Sequence, residues 1–210
     1  CSEEGATKLA DLDTPVVVLG EQLRSVTSAS VDNVRGARIA ARHLIELGHR
    51  RLAVVGGHAH MDVAHNVPTE RLHGFQMAME AAGLRLPKEY VDDGDFTIEG
   101  GRTAMRRFLS LPKPPTGVFL MSDEMAYGAM WALREAGLVP GRDISLVGFD
   151  DHPVAESVGL TTVRQPVREI GRLGARLMLD GLEGFGTIAH HPVELTLVER
   201  ATSGPPSTSR

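Results

Sequence analysis

Hydrophobic positions in this chain switch repeatedly between a strand pattern and a helix pattern. Residues 117–121 (GVFLM) are apolar without interruption, as expected of a strand covered by helices on both faces. Asp123 then offers an N-cap, and Ala126, Ala129, Met130 and Leu133 recur at helical spacing up to Gly137, which sits where a left-handed residue ends a helix. Residues 144–149 repeat the strand pattern and run into Asp150 and Asp151. Two carboxylates thus project from the carboxyl end of a sheet strand, where open α/β folds bind small molecules.

The same alternation organises the rest of the chain. Residues 15–19 (PVVVL) read as a buried strand, and Asp32 or Asn33 caps a helix bearing Ala37, Ala40, Ala41, Leu44 and Ile45 that stops at Gly48. Strand 52–55 follows, then a helix from about Thr69 with Leu72, Phe75 and Met79 on one face and Gly83 at its end. Tyr90-Val91 is a short strand, and Thr97 caps a helix carrying Ala104, Met105, Phe108 and Leu109. Pro166 lies in the first turn of a helix with Ile170, Leu173, Leu177 and Met178, and residues 193–198 (VELTLV) alternate like one last edge strand. Repeated αβ units predict mostly parallel sheets joined by right-handed crossovers. Residues 203–210 (SGPPSTSR) read as a disordered tail.

Composition narrows the function. In 210 residues, 42% hydrophobic and 23% charged content describe a globular protein with a sizeable core. A formal charge of -5 argues against this chain wrapping nucleic acid by itself. The single cysteine, Cys1, excludes an internal disulfide framework and fits a reducing compartment. No apolar run reaches the ~18 residues of a spanning helix, so no membrane partner is expected. The chain opens on Cys1 with no initiator Met or leader pattern, and it is read as cut from something longer.

Three kinds of chemistry compete. His58, His60, Asp62 and His65 cluster after a strand and could share a metal in a hydrolase, but the remote ligands are missing and no metal is expected. Nucleophilic catalysis finds no Gly-x-Ser-x-Gly elbow, and no glycine pair belongs to a phosphate-cradling motif, so no cofactor is expected. Arg71, Phe96, Ser122, Asp123 and Asp150 instead suit recognition: a guanidinium fork donates, carboxylates accept, and an aromatic face stacks. Capping alone would also explain Asp123, and core packing Phe96.

Five ordered stretches bear a family resemblance: 30–57 (SVDNVRGARIAARHLIELGHRRLAVVGG), 70–75 (ERLHGF), 121–128 (MSDEMAYG), 143–151 (DISLVGFDD) and 160–166 (LTTVRQP). Together they resemble the effector-binding core of the lactose-repressor (LacI/GalR) family of bacterial transcriptional regulators. The resemblance implies a periplasmic-binding-protein-like α/β core of two subdomains, the N-terminal one incomplete, joined by three crossovers with the effector between them. Residues 34–161 and 190–200 are expected in the C-terminal subdomain, 1–33 and 164–188 in remnants of the N-terminal one. It further implies that Arg71 and Asp150 bind the effector, that Phe96 packs on it, and that Ser122 stands where an Asn often reaches it, with Asp123 beside it. Ser at 122 shortens that arm, and Gly20 replaces a frequent ligand-facing Asp, which leaves Glu21 and Asp62 as secondary candidates. By the same resemblance the intact protein is a cytoplasmic homodimer, a repressor without enzymatic activity, sensing a sugar or similar metabolite and reading operator DNA through a head absent from this chain. Tyr127, Met130 and Trp131 are the candidate interface. A periplasmic sugar-binding protein and a metal hydrolase are the alternatives.

Overall fold

The structure is a computed structural model describing Gly5, Lys8, Leu9 and residues 14–57, 67–184 and 186–207. The chain divides into two compact units. The first takes Cys1–Asp32 and Gln165–Leu195, the second Asn33–Ala59, Val67–Arg164 and Thr196–Arg210. No described helix is long and apolar enough to cross a membrane.

In the first unit, β1 (Val17–Leu19), β2 (Thr27–Val31) and β8 (His190–Val193) form a three-stranded parallel sheet. Leu23 and Val26, with Val16 and Val18 against them, make its small core. Helix α6 (Val167–Leu182) packs on β1 and β2 through a face where Ile170 and Gly174 are buried. A methyl group on Gly174 would stand 2.8 Å from Leu19, so the missing side chain is what lets the helix settle on the strand.

The second unit carries the candidate chemistry. Its six-stranded sheet runs β4 (Val91–Asp93), β3 (Leu52–Gly56), β5 (Gly117–Leu120), β6 (Ser145–Asp150), β7 (Thr162–Arg164), β9 (Thr196–Val198), parallel except for the last pair. Strands β3 and β5 are buried throughout, which explains their unbroken apolar runs. Helix α1 (Asn33–Glu46) packs against α2 (Val67–Ala81), and α3 (Ile98–Leu109) against α4 (Asp123–Glu135); a short α5 (Pro153–Ser157) follows β6. Phe75 of α2 stacks on Phe119 of β5 at 5.6 Å between ring centroids, and Phe119 meets Phe149 of β6 at 6.4 Å. Each of these buried rings contributes about 2–3 kcal/mol through its area. The helices stop at Gly48, Gly83 and Gly137, all with positive φ, and Thr97 caps α3 by accepting from the Gly100 N–H.

Four expectations change. Residues 193–198 do not form one strand: His190–Val193 pairs with β2 in the first unit, and Thr196–Val198 pairs antiparallel with β7 in the second. Residues 190–193 therefore leave the subdomain to which they were assigned. Tyr90 closes a one-turn 3₁₀ helix (Lys88–Tyr90) before β4, and α2 starts at Val67 with Pro68 in its first turn. Residues 203–207 are not a loose tail. The Thr202 hydroxyl donates to the Leu146 carbonyl at 3.0 Å, and the Gly204 N–H donates to the Ser145 hydroxyl at 3.0 Å.

Two buried histidines fasten that segment. His49 Nε2 lies 2.9 Å from the Gly204 carbonyl and its Nδ1 2.9 Å from the Thr116 hydroxyl, so Nε2 carries the proton and Nδ1 accepts. His43 Nε2 lies 2.8 Å from the Ser203 hydroxyl. Burial holds both histidines below the usual imidazole pKa, against smaller opposing effects of the Gly204 carbonyl on His49 and of Glu199 and Glu46 on His43. The sign follows: the unfolded chain takes up protons first as pH falls below about 6.5, so the stabilisation is complete above that pH and lost below it. Thermal melts from pH 7.5 to 5.0 are expected to show a shallower acid loss in His49→Gln than in the parent. Parallel curves would show that His49 does not sense pH.

Candidate functional site

At the carboxyl edge of the second unit's sheet, Arg71 is the central feature. It rises from the first turns of α2, and only 5% of it is exposed. Its Nε donates to Asn33 Oδ1 at 3.0 Å, and a terminal nitrogen donates to the Met121 carbonyl. The guanidinium carbon lies 3.5 Å from the centroid of the Phe149 ring, a desolvated cation–π contact of about 2 kcal/mol. Asn33 is fixed in turn by donating to Glu70 at 2.9 Å. Burial lowers the Arg71 pKa to about 10, and the Asp150 and Glu70 carboxylates counter that pull. Arg71 is thus a cation held still by two side chains, Asn33 and Phe149, and the Met121 main-chain carbonyl.

Asp150 ends β6 within electrostatic reach of Arg71, at a φ of 121° that L-residues rarely adopt. Asp151 follows at 59°. Consecutive strained residues cluster at functional sites, where surrounding contacts must hold them. One such contact comes from Asp123, whose carboxylate accepts from the His152 N–H at 2.8 Å and from the Thr162 hydroxyl at 2.6 Å.

Asp123 therefore differs from its expected capping role. Ser122, not Asp123, is the N-cap of α4, its hydroxyl accepting from the Met125 N–H at 3.3 Å. Asp123 occupies the first helical position and is fully buried, its carboxylate taken up by those two hydrogen bonds. Burial pushes its pKa up to about 6, against the two hydrogen bonds and with the added repulsion of Asp150. Gly148 has no side chain for a related reason: a methyl group there would sit 2.3 Å from Asp123 Oδ1.

Phe96, also at positive φ, lays its half-buried ring over Gly57, where a methyl group would collide at 2.2 Å. Glu21 belongs to the first unit, just past β1. Asp62 and the histidines at 58, 60 and 65 lie outside the described residues. Among the described residues, Glu124, Asp150 and His152 bring ligand-type atoms within 4.8 Å of one another and could hold a cation.

Asn33, Phe149, His152 and Thr162 are site residues that the sequence does not mark as such. Asn33 reads as a helix cap and Phe149 as a core ring; only the fold turns one into a brace and the other into a platform. Tyr127 marks the same acidic edge. Burial and the charges of Asp123, Glu124, Asp150 and Asp151 raise its pKa.

A family profile described as "Periplasmic binding protein-like domain" matches residues 41–203. The HTH-type transcriptional repressor PurR of Shigella dysenteriae is 39% identical over 213 residues, covering 95% of this chain and 60% of its own length. The repressor CytR of Escherichia coli is 38% identical over 156 residues, covering 73% of this chain and 45% of its own. This chain thus spans only part of those curated relatives. Among solved structures, a LacI-family regulatory protein from Chloroflexus aggregans is 34% identical with a TM-score of 0.82, covering 90% of this chain and 69% of that one. A LacI transcriptional regulator from a Rhodococcus species is 30% identical with a TM-score of 0.85, covering 98% and 75%. The regulator CelR in complex with cellobiose is 31% identical with a TM-score of 0.79, covering 95% and 69%. On the matched profile and these relatives, the chain belongs to the LacI family and carries its periplasmic-binding-protein-like core.

Proposed function

We propose that this chain is the effector-binding core of a transcriptional repressor, and that the effector is a polar, uncharged metabolite of the carbohydrate class. The observation that carries this reading is Arg71: a buried, braced, permanently charged fork at the carboxyl edge of a parallel sheet, with the Asp150 acceptor in electrostatic reach. Donor and acceptor together match vicinal hydroxyls, and the Phe96 ring adds an apolar face for a sugar or a base. No step of this function makes or breaks a covalent bond. The cellobiose bound by CelR is consistent with the ligand class.

In this reading the full protein binds operator DNA through a domain outside this chain and works in the cytoplasm as a homodimer. Trp131 is 50% exposed and lines an apolar hollow with Tyr127, Met130, Leu138 and Val139, a face suited to a second copy. Sedimentation velocity would reveal a species of twice the chain mass.

Thermal-shift screening with pentoses, hexoses, disaccharides and nucleosides tests the ligand class. A ligand at a hundred times its Kd stabilises the native state by about 2.7 kcal/mol, a rise of roughly 5–10 °C for a chain of this size. One ligand class is expected to produce that rise in the parent and not in Asp150→Asn. A panel without any shift, or one with equal shifts in both proteins, defeats the assignment.

A further inference from the structure

The strained pair Asp150–Asp151 stands beside two of the places where the chain passes between its units. Arg164, the last residue of β7, precedes the passage into Gln165–Leu195, and Thr196 begins the return. Backbone register puts these residues in one row across the sheet: Asp150 pairs with Arg164, and Arg164 pairs with Thr196. The side chains cross-link the row a second time. Asp151, 8% exposed at its side chain, accepts from Arg164 Nε at 2.6 Å and lies 2.8 Å from Arg200 NH1, four residues past the return. Arg200 NH1 also donates to the Leu160 carbonyl at 2.7 Å. Although burial opposes ionisation, the Arg164 hydrogen bond and the Arg200 ion pair together outweigh it and hold the Asp151 carboxyl below the usual range.

We propose that Asp151 is a positioning residue that ties Asp150 to both of these chain crossings through Arg164 and Arg200, so that a ligand shifting Asp150 changes the order of the crossings. The coupling rests on the reading of Asp150 as a ligand contact; the tie itself does not. A ligand at Asp150 bears on a backbone with two residues in rarely populated conformations, which persist only while the contacts around them hold. Asp151 is the next residue, so its carboxylate must follow any change in the Asp150 backbone. Arg164 and Arg200 receive that change on opposite sides of the Gln165–Leu195 excursion. Transmission of this kind requires an element with two arrangements that both ends bias, and the proposal gives that part to the Asp150–Asp151 turn.

Hydrogen exchange read by mass spectrometry on the 210-residue chain, parent against Asp151→Asn, separates the two layers. Without ligand, Asp151→Asn is expected to speed exchange roughly tenfold in peptides covering 162–166 and 196–200, while β3 and β5 stay unchanged. Unaltered exchange at the crossings overturns the proposal whatever the protein binds. D-ribose is then added, with binding monitored by thermal shift. In the parent, ribose is expected to slow exchange at both crossings; in Asp151→Asn it is expected to bind without that effect. Equal protection in both proteins overturns the coupling, because a residue that merely stabilises the fold lowers the melting temperature and leaves ligand-induced protection intact. Should D-ribose bind neither protein, the coupling to Asp150 fails for this sugar and the ligand-free comparison decides the tie. Asp143→Asn, which weakens the half-buried Asp143 pairing with Arg142 and with the Val139 N–H, serves as the control for loss of an acidic partner elsewhere.

Discussion

Arg71→Ala is expected to weaken effector binding at least a hundredfold, about 2.7 kcal/mol, and to abolish the ligand-induced rise in melting temperature. Truncating one partner of a buried, hydrogen-bonded charge site costs about 2–5 kcal/mol, and here the lost group is the donor fork itself. The fold suffers as well. Without the guanidinium, the Met121 carbonyl and Asn33 Oδ1 lose their donor and the Phe149 ring its cation. Each acceptor left dry costs about 1–3 kcal/mol, partly offset because no charge remains buried. The net expectation is a cooperative protein about 2 kcal/mol less stable, measured by urea unfolding, with calorimetry reading the affinity. Arg71→Lys separates charge from geometry. A lysine keeps the charge but loses the planar fork and its stacking, so its affinity is expected to stay near that of the alanine variant. Affinity within threefold of the parent in Arg71→Ala removes this residue from the site.

Gly128→Ala is expected to be the most damaging small change to the fold. A methyl group there would lie 1.8 Å from the Ile98 carbonyl oxygen and 2.7 Å from the Arg102 amide nitrogen, both backbone atoms of the facing helix α3. Gly101 faces α4 in the same way, 2.1 Å from the Met125 carbonyl oxygen. Backbone cannot turn aside as a flexible side chain can, so the helices must separate, at a cost of about 3 kcal/mol or more. The damage also reaches the site, because α4 starts at Asp123 and its displacement pulls on the bonds to His152 and Thr162. Gly171→Ala in α6 is the contrast, since nothing lies within 4 Å of the added carbon. Removing a mid-helix glycine there is expected to stabilise by up to about 1 kcal/mol. Chemical denaturation of both variants checks the pair; similar midpoints would mean that helix proximity is not the controlling factor.

The parts legible in the sequence share a physical origin. Strand interiors, Gly stops and the Thr97 cap are local signals, each written within a few residues of the structure it produces. The placement of Arg71 early in α2 and of Asp150 at the end of β6 was legible because the strand and helix boundaries around them are marked locally. What escaped depends on partners distant in sequence. Ser122 and Asp123 are both good caps, and the choice between them is settled by Thr162, 39 residues away, which gives the aspartate a buried use. Residues 193–198 alternate without a break, yet Val193 pairs with β2 in one sheet and residues 196–198 with β7 in the other, and only the register of β2 and β7 decides where one strand stops. The terminal segment looked unstructured because its composition is that of a linker, while the buried histidines that fasten it belong to α1 and the loop after it.

The antiparallel pairing of β7 with β9 also bears on modularity. Arg164 and Thr196 are direct neighbours in the ladder, so the 165–195 excursion leaves and re-enters the second unit at adjoining positions, as the two arms of a hairpin do. A tight turn of a few residues would suffice to span that gap. The second unit can therefore host an inserted segment at this seam without unravelling its sheet, and lineages can lengthen, shorten or exchange the insert while the ladder beneath it keeps its alignment.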